Sequence, residues 1–331
     1  MLSSDKYHVF PGILQNMCKG LFAVYIQGAE VMICVAVSFL IFTAAGCGNS
    51  NKPENIDFKD TVIQPETKKD GKNSISICIG AMITPEEGYA YYKALLDYIG
   101  ENLYIEVNFV EKVSYQEVNT LLEKDKIDAA FVCGGPYVEG KSKFGLELLV
   151  APQVDGRTIY YSYIIVQKES KIDSFTGLKG KSFALVDPMS NSGKKYPDYL
   201  LKQIGESENT FFSEHPYSGA HDTSIKAVAE GIVEGAAVDS IIWNYMSANK
   251  SSYVHKTKII NKSPPFGIPP VVVRPDLNKE LKEKLRSTLL DMHKVSKGKR
   301  ILENMRIDKF VIVEDSNYDS IRKLDKETAD R

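Results

Sequence analysis

The stretch Asp187-Pro188-Met189-Ser190-Asn191-Ser192-Gly193 puts two hydroxyls and a carboxamide on one short turn. A Val/Ala/Leu-rich strand candidate, Ser182 to Val186, precedes it, and a helix-like segment, Lys194 to Ile204, follows. Such a turn is an anion cradle. The first N–H groups of a helix have no partner within it, and the aligned peptide dipoles leave about half a positive charge there. Ser190, Asn191 and Ser192 add neutral donors around a tetrahedral oxyanion. The same residues also suit an ordinary cap on a surface helix, and the turn alone does not separate the two roles.

Three further segments could converge on this turn. Ser218-Gly219-Ala220-His221-Asp222-Thr223-Ser224 ends at another helix start, where a ring N–H of His221 could donate to an anion. Taken alone, His221 also reads as an exposed loop residue. Ala236-Ala237-Val238-Asp239-Ser240 is a strand end entering a helix, and Asp239 is either its cap or a ligand group. A carboxylate beside a fully ionised anion would repel it. Beside an oxyanion that keeps a proton it accepts the O–H, which favours an acid of phosphorus over sulfate. The third segment, Gly134-Gly135-Pro136-Tyr137, could reach across a cleft, with Tyr137 and Tyr91 covering the organic end of a ligand. Packing is the ordinary alternative for either tyrosine.

The elements that must position these groups alternate between strand and helix. Ile75–Gly80 reads as a strand. Thr84-Pro85-Glu86-Glu87 is a capping box opening a helix that closes at Gly100, and Tyr104–Val110 is a second strand. Ser114-Tyr115-Gln116-Glu117 repeats the box before a helix to about Lys124, and Asp128–Cys133 is a buried strand. This βαβαβ order predicts a parallel sheet with both faces covered. A strand-like run, Ile159–Gln167, leads to a second unit: strand Ser182–Val186, a helix from Ser192, a strand near Phe211, a helix from Asp222, strand Ala236–Val238 and a helix to Asn249. Pro264 to Pro270 is stiff and extended, and Asn278–Val295 is an amphipathic helix with Leu281, Leu285, Leu289 and Met292 on one face. Two α/β lobes with two crossings result, residues 75–163 plus 265–331 and residues 164–264, and clefts between lobes favour ligands and hinge closure.

With 331 residues the chain has room for about two domains. A net charge of −2 provides no basic field, so no nucleic-acid partner is indicated. Val31–Gly46 is uncharged and ends in small residues before Cys47. It reads as an export signal, residues 1–46, closing in the lipobox Ala44-Ala45-Gly46-Cys47, with Cys47 as the lipidation site. An uncleaved anchor helix is the alternative, and both readings export the remainder of the chain. Residues 47–74 are polar and aperiodic, as in a flexible tether. Cys78 and Cys133 fall in apolar strand-like runs and read as buried thiols. No cysteine or histidine spacing of metal type is present, nor a convincingly spaced Ser/His/Asp triad or two-metal cluster, so the sequence points away from an enzyme.

The order IDAAFVCGGPYVEG, YYSYIIVQKESKIDSFTGLKGKSFALVDPMSNSG and SGAHDTSIKAVAEGIVEGAAVDS resembles the phosphate/phosphite/phosphonate substrate-binding proteins of bacterial ABC transporters, over about Ile75 to Arg274. The resemblance implies a two-lobed type II periplasmic-binding fold of the α/β class, each lobe a mostly parallel sheet flanked by helices. It implies that Ser190, Asn191 and Ser192 hold the oxyanion, that His221 and Asp239 join them, and that an aromatic of the first helix maps to Tyr91. It further implies a monomer without cofactor or metal. That monomer closes on a small phosphorus oxyanion at the extracytoplasmic face of the membrane and delivers it to permease subunits driven by a cytoplasmic ATPase. In aminoalkylphosphonate binders an acid of the return crossing grips the amine. Phe266-Gly267-Ile268-Pro269-Pro270 contains no acid, which leaves phosphate, phosphite or a small alkylphosphonate. An extracellular sensor domain of the same fold, feeding a signalling partner, and a site for another small organic anion are the alternatives.

Overall fold

The computed structural model describes residues 74–80, 85–111 and 114–329, with side chains throughout except at 85–91 and 329. The export segment, Cys47, nearly all of the tether and the side chain of Tyr91 lie outside the described residues.

The chain begins with β1 (Ser74–Ile79), α1 (Pro85–Leu103), β2 (Glu106–Glu111), α2 (Tyr115–Glu123), β3 (Ala129–Phe131) and α3 (Gly134–Phe144). Strand β1 pairs in parallel with β2 and β3, as the βαβαβ order requires. Ser114 caps α2, its Oγ accepting from the Glu117 N–H at 3.2 Å, a contribution of about 1 kcal/mol. Helix α1 does not stop at Gly100 but continues to Leu103. A Cβ at Gly100 would sit 3.0 Å from the Ile105 carbonyl, so glycine is there to let β2 approach closely rather than to terminate the helix. Between Tyr137 and Ile159, where the sequence pattern marks no element, lies β4 (Glu147–Gln153).

Strand β5 (Ile159–Tyr160) crosses to the second lobe, which contains β6 (Ser162–Gln167) and β7 (Phe183–Ala184). One π-helical turn, Asn191–Lys195, leads into α4 (Tyr196–Gln203), followed by α5 (Glu208–Phe211), α6 (His221–Ala229), β8 (Gly235–Asp239), α7 (Ser240–Ala248), α8 (Ser252–His255) and β9 (Thr257–Lys262). The strand expected near Phe211 is instead the single helical turn α5, nucleated by the reciprocal Ser207–Thr210 cap. Phe211 and Phe212 pack on Phe175 and Phe183. The strand-like pairing comes later, as isolated bridges from Glu214 and Tyr217 to Ser182 and Leu185.

The chain returns through β10 (Phe266–Gly267) to β11 (Val271–Val273), then α9 (Lys279–Asp291), α10 (Ser296–Asn304), β12 (Lys309–Val311) and α11 (Asp319–Ala329). Asn278 caps α9, and Leu285, Leu289 and Met292 are buried, as the amphipathic pattern predicts. The first-lobe sheet has the order β12-β4-β11-β3-β1-β2 and the second-lobe sheet β7-β8-β6-β9. Both are mixed. The crossing strands β5 and β10 are antiparallel, so the returning chain enters the first sheet reversed, and β11 lies antiparallel between β3 and β4. Strand β6 likewise opposes β8 and β9.

One apolar cluster fills the outer side of the first sheet with Ile75, Ile77, Leu95, Leu285 and Leu289. Another runs from Tyr115, Cys133 and Tyr137 of the first lobe to Leu185, Met189 and Tyr196 of the second. The lobes therefore meet around buried side chains. Cys78 and Cys133 are buried, and no disulfide joins them.

Candidate functional site

Five buried side-chain atoms at this seam have no hydrogen-bond partner among the described residues: Tyr115 Oη, Asn191 Oδ1, Ser192 Oγ, His221 Nε2 and Asp239 Oδ2. An orphaned buried polar atom costs about 1–3 kcal/mol, and native structures hold few of them. Five in one place mark a site shaped for something polar. Four of the residues sit at element ends that face each other. Tyr115 opens α2, Ser192 lies in the π-helical turn, His221 opens α6, and Asp239 joins β8 to α7.

The hydrogen bonds that these residues do make fix which atoms remain. The Asp239 backbone N–H donates to His221 Nδ1 at 3.0 Å. That ring nitrogen is the acceptor, so the proton of the neutral ring lies on Nε2, which becomes a donor. Burial lowers the His221 pKa to about 3, so the donor carries no charge near neutral pH. Asp239 caps α7 with one carboxylate oxygen and leaves the other in the cluster. Its Oδ1 accepts from the Ile241 N–H at 2.6 Å, while Oδ2 is the orphan. Burial raises its pKa to about 7, despite the helix N–H groups that favour the carboxylate.

The turn differs from a ring of uniform donors. Ser190 Oγ accepts from the Gly193 N–H at 3.1 Å, the helix cap that its residue type allows. The Ser162 hydroxyl donates to the Ser192 carbonyl at 2.7 Å and leaves the Ser192 hydroxyl unengaged. Asn191 donates to the Tyr160 hydroxyl at 3.0 Å. That bond uses one of its two amide N–H donors, so the second N–H and the unpartnered Oδ1 both remain for a ligand.

Tyr115 and Tyr160, which the sequence did not mark as site groups, join the cluster, and Asp187 of the turn and Gly135 of the Gly134–Tyr137 segment tie the lobes together there. Tyr115 is fully buried, and burial pushes its phenol well up, with the neighbouring Cys133, Asp187, Asp239 and Tyr92 adding to it. Tyr160, on the crossing strand, lies 3.3 Å from Cys133 Sγ and is raised by burial, Cys133 and Asp239. Asp187 joins the lobes: it accepts from the Tyr115 N–H at 3.2 Å and from the Met189 N–H at 2.7 Å. Gly135 is where the first lobe touches the turn, since a Cβ there would lie 2.2 Å from the Met189 carbonyl. The available signal was position: Tyr115 follows a capping serine just as His221 opens its own helix.

Tyr137 is not brought to this cluster. Its hydroxyl donates to Asp315 and its ring meets Tyr318 edge-on, 4.8 Å between centroids. Nothing is described of the Tyr91 side chain, but Tyr92 faces the site. Burial and the Asp239 charge push its pKa to about 12. Among the described residues no group of three or more His, Cys, Asp or Glu side chains is arranged to hold a metal ion.

A two-lobed type II periplasmic-binding fold with polar atoms waiting at the seam defines an extracytoplasmic solute-binding protein. The model of the family described as "ABC transporter, phosphonate, periplasmic substrate-binding protein" matches residues 78–318, and this chain belongs to that family. It is 23% identical over 244 residues to a probable ABC transporter phosphite binding protein, PhnD1, of Prochlorococcus marinus strain MIT 9301, covering 69% of this chain and 82% of that one. The crystal structure of a binding protein component of an ABC phosphonate transporter from Pseudomonas aeruginosa superposes with a TM-score of 0.73 at 22% identity, over 78% of this chain and 87% of that one. PhnD1 in complex with methylphosphonate superposes at 0.70 with 19% identity, over 78% and 99%. Members of the family are substrate-binding components of importers and not enzymes.

Proposed function

We propose that this chain captures a small phosphorus oxyanion that retains a proton (a phosphonate, phosphite or phosphate) and presents it to an ABC permease while anchored to the membrane through a lipid on Cys47. The observation that carries the ligand assignment is the mixture among the five orphaned atoms. Ser192 Oγ and His221 Nε2 are donors, Tyr115 Oη can donate or accept, and Asn191 Oδ1 and ionised Asp239 Oδ2 accept. A monoprotonated phosphorus acid satisfies donors with its oxyanions and an acceptor with its O–H. Sulfate, with no O–H, would leave one more acceptor unpaired than such an acid, at a cost of about 1–3 kcal/mol. The methylphosphonate bound by the structurally similar Prochlorococcus protein supports this reading.

The ligand contacts assigned are Ser190 and Asn191 through the turn, Ser192, His221 and Asp239, with Tyr115 and Tyr92 replacing Tyr137. Tyr91, whose side chain lies outside the described residues, stays in the proposal as the aromatic of the first helix. Two lobes of about 75–163 plus 265–331 and 164–264 belong to the same proposal, with the first limit moved back to the β5 crossing, because Ser162 and Tyr163 already pair with β8 in the second-lobe sheet. Tyr115 and Gly135 of the first lobe meet Asp187 and Met189 of the turn, so the ligand is gripped by both lobes.

Titration calorimetry of the full chain in mild detergent against methylphosphonate, phosphite, phosphate and sulfate tests the ligand assignment. Micromolar binding of at least one phosphorus acid, at least 100-fold over sulfate, is expected. Equal or tighter binding of sulfate refutes it. For the anchor, Cys47→Ser is expected to abolish acylation in the intact mass, and an acylated variant would refute that assignment.

A further inference from the structure

The five-atom cluster suffices for a phosphorus oxyanion, yet the cleft continues past it. Tyr92 and the start of α7, Ser240 to Ile242, border a cavity of about 540 Å³. Asp239 immediately precedes Ser240, and its charge is felt by the Tyr92 phenol, so cavity and cluster share a wall. The volume lies within the roughly 300–1,000 Å³ range of sites that bury small organic ligands. Tyr92 meets Phe131 edge-on at 5.7 Å, and Phe131 meets Phe310 edge-on at 6.5 Å, which makes one side aromatic and apolar. Tyr161 and Tyr245 face the cavity as well.

The charge around this cavity is one-sided. Arg157, Lys262 and Arg306 line it against the single carboxylate of Asp155. Among the described residues none of these three cations pairs with a carboxylate. The Lys262 ammonium rests 3.6 Å from the centre of the Tyr161 ring, a cation–π contact that holds it at the cavity. Arg306 donates weakly to the Ala248 carbonyl at 3.5 Å.

We propose that this cavity is a second subsite, taking the organic substituent of a phosphonate or phosphate monoester, and that the favoured substituent is a flat apolar group ending in a second anion such as a carboxylate. The aromatic wall stacks on the flat portion, and Arg157 and Lys262 meet the distal charge. An ammonium at the same end is repelled. The inference rests on the reading that the cluster holds a phosphorus oxyanion.

Calorimetry with the full chain in mild detergent separates the two. The probes are methylphosphonate, benzylphosphonate, 4-(phosphonomethyl)benzoate and 2-aminoethylphosphonate. Benzylphosphonate is expected to bind about fivefold tighter than methylphosphonate, the benzoate more than tenfold tighter, and the amine no better than methylphosphonate. The double variant Arg157→Gln/Lys262→Gln is expected to keep methylphosphonate affinity within threefold and to erase most of the benzoate advantage. Methylphosphonate binding as tightly as the larger acids, or the double variant weakening every ligand equally, overturns the subsite while leaving the oxyanion reading intact. No binding by any phosphorus acid overturns both.

Discussion

Replacing Asp239 by asparagine should stabilise the ligand-free protein and weaken ligand capture. Burial moves this carboxyl from 3.8 to about 7. At roughly 1.4 kcal/mol per pH unit, holding the ionised form in the fold costs about 4 kcal/mol. The native state keeps a proton between pH 4 and 7 that the unfolded chain has released. Stability therefore falls as pH rises through that window, and the full penalty is present above pH 7. His221 works in the opposite sense: its lowered pKa costs stability as pH falls from about 6.5 towards 3. The difference between parent and Asp239→Asn removes the histidine contribution. Asparagine retains an oxygen for the Ile241 N–H, so the α7 cap survives. Urea unfolding of both proteins from pH 4 to 8.5 should show a gap that opens between pH 4 and 7 and reaches about 2–4 kcal/mol in favour of the variant. Methylphosphonate affinity at pH 7 should fall about 10- to 100-fold, the worth of one hydrogen bond involving a charged group. A variant no more stable than the parent at pH 8 would show that Asp239 does not bear an uncompensated buried charge, and the argument for a waiting acceptor would fail.

Three other perturbations follow from the same geometry. Ser192→Ala removes a hydroxyl that has no partner. The urea midpoint should hold or rise while methylphosphonate affinity drops at least tenfold, and an unchanged affinity would remove Ser192 from the site. His221→Leu leaves the Asp239 N–H without its acceptor, so it should cost about 1–3 kcal/mol of stability as well as binding. His221→Gln, which can accept and donate at once, should recover most of the stability, and equal losses in both variants would argue against the assigned tautomer. Gly135→Ala drives a Cβ into the Met189 carbonyl. Small-angle scattering should show a ligand-saturated radius of gyration larger than the parent's, and an unchanged compact form would mean that the lobes do not close at this contact.

Much of the fold was legible because local signals agreed. The Ser114 box and the Asn278 helix are where capping chemistry and apolar spacing put them. The antiparallel return was not legible, since the direction of β11 depends on how the β5/β10 crossing closes across a hundred residues. Phe211 belongs to an apolar run that suits a strand, but tertiary aromatic stacking and the Ser207 cap fold it as a turn of helix. At the site, residue type marked Ser192, His221 and Asp239 as candidates. It could not tell that Asn191 would give one of its amide N–H groups to Tyr160, because that bond joins segments 31 residues apart. Tyr137 and Tyr115 carry the same phenol, and their roles were separated only by packing: one faces Asp315, the other the seam.

The most direct measurement is a crystal structure of the protein grown with methylphosphonate. The account predicts phosphonate oxygens within about 3 Å of Ser192 Oγ and His221 Nε2, with the protonated oxygen on Asp239 or Asn191. A phosphonate bound elsewhere, or those atoms satisfied by water alone at saturating ligand, would contradict it.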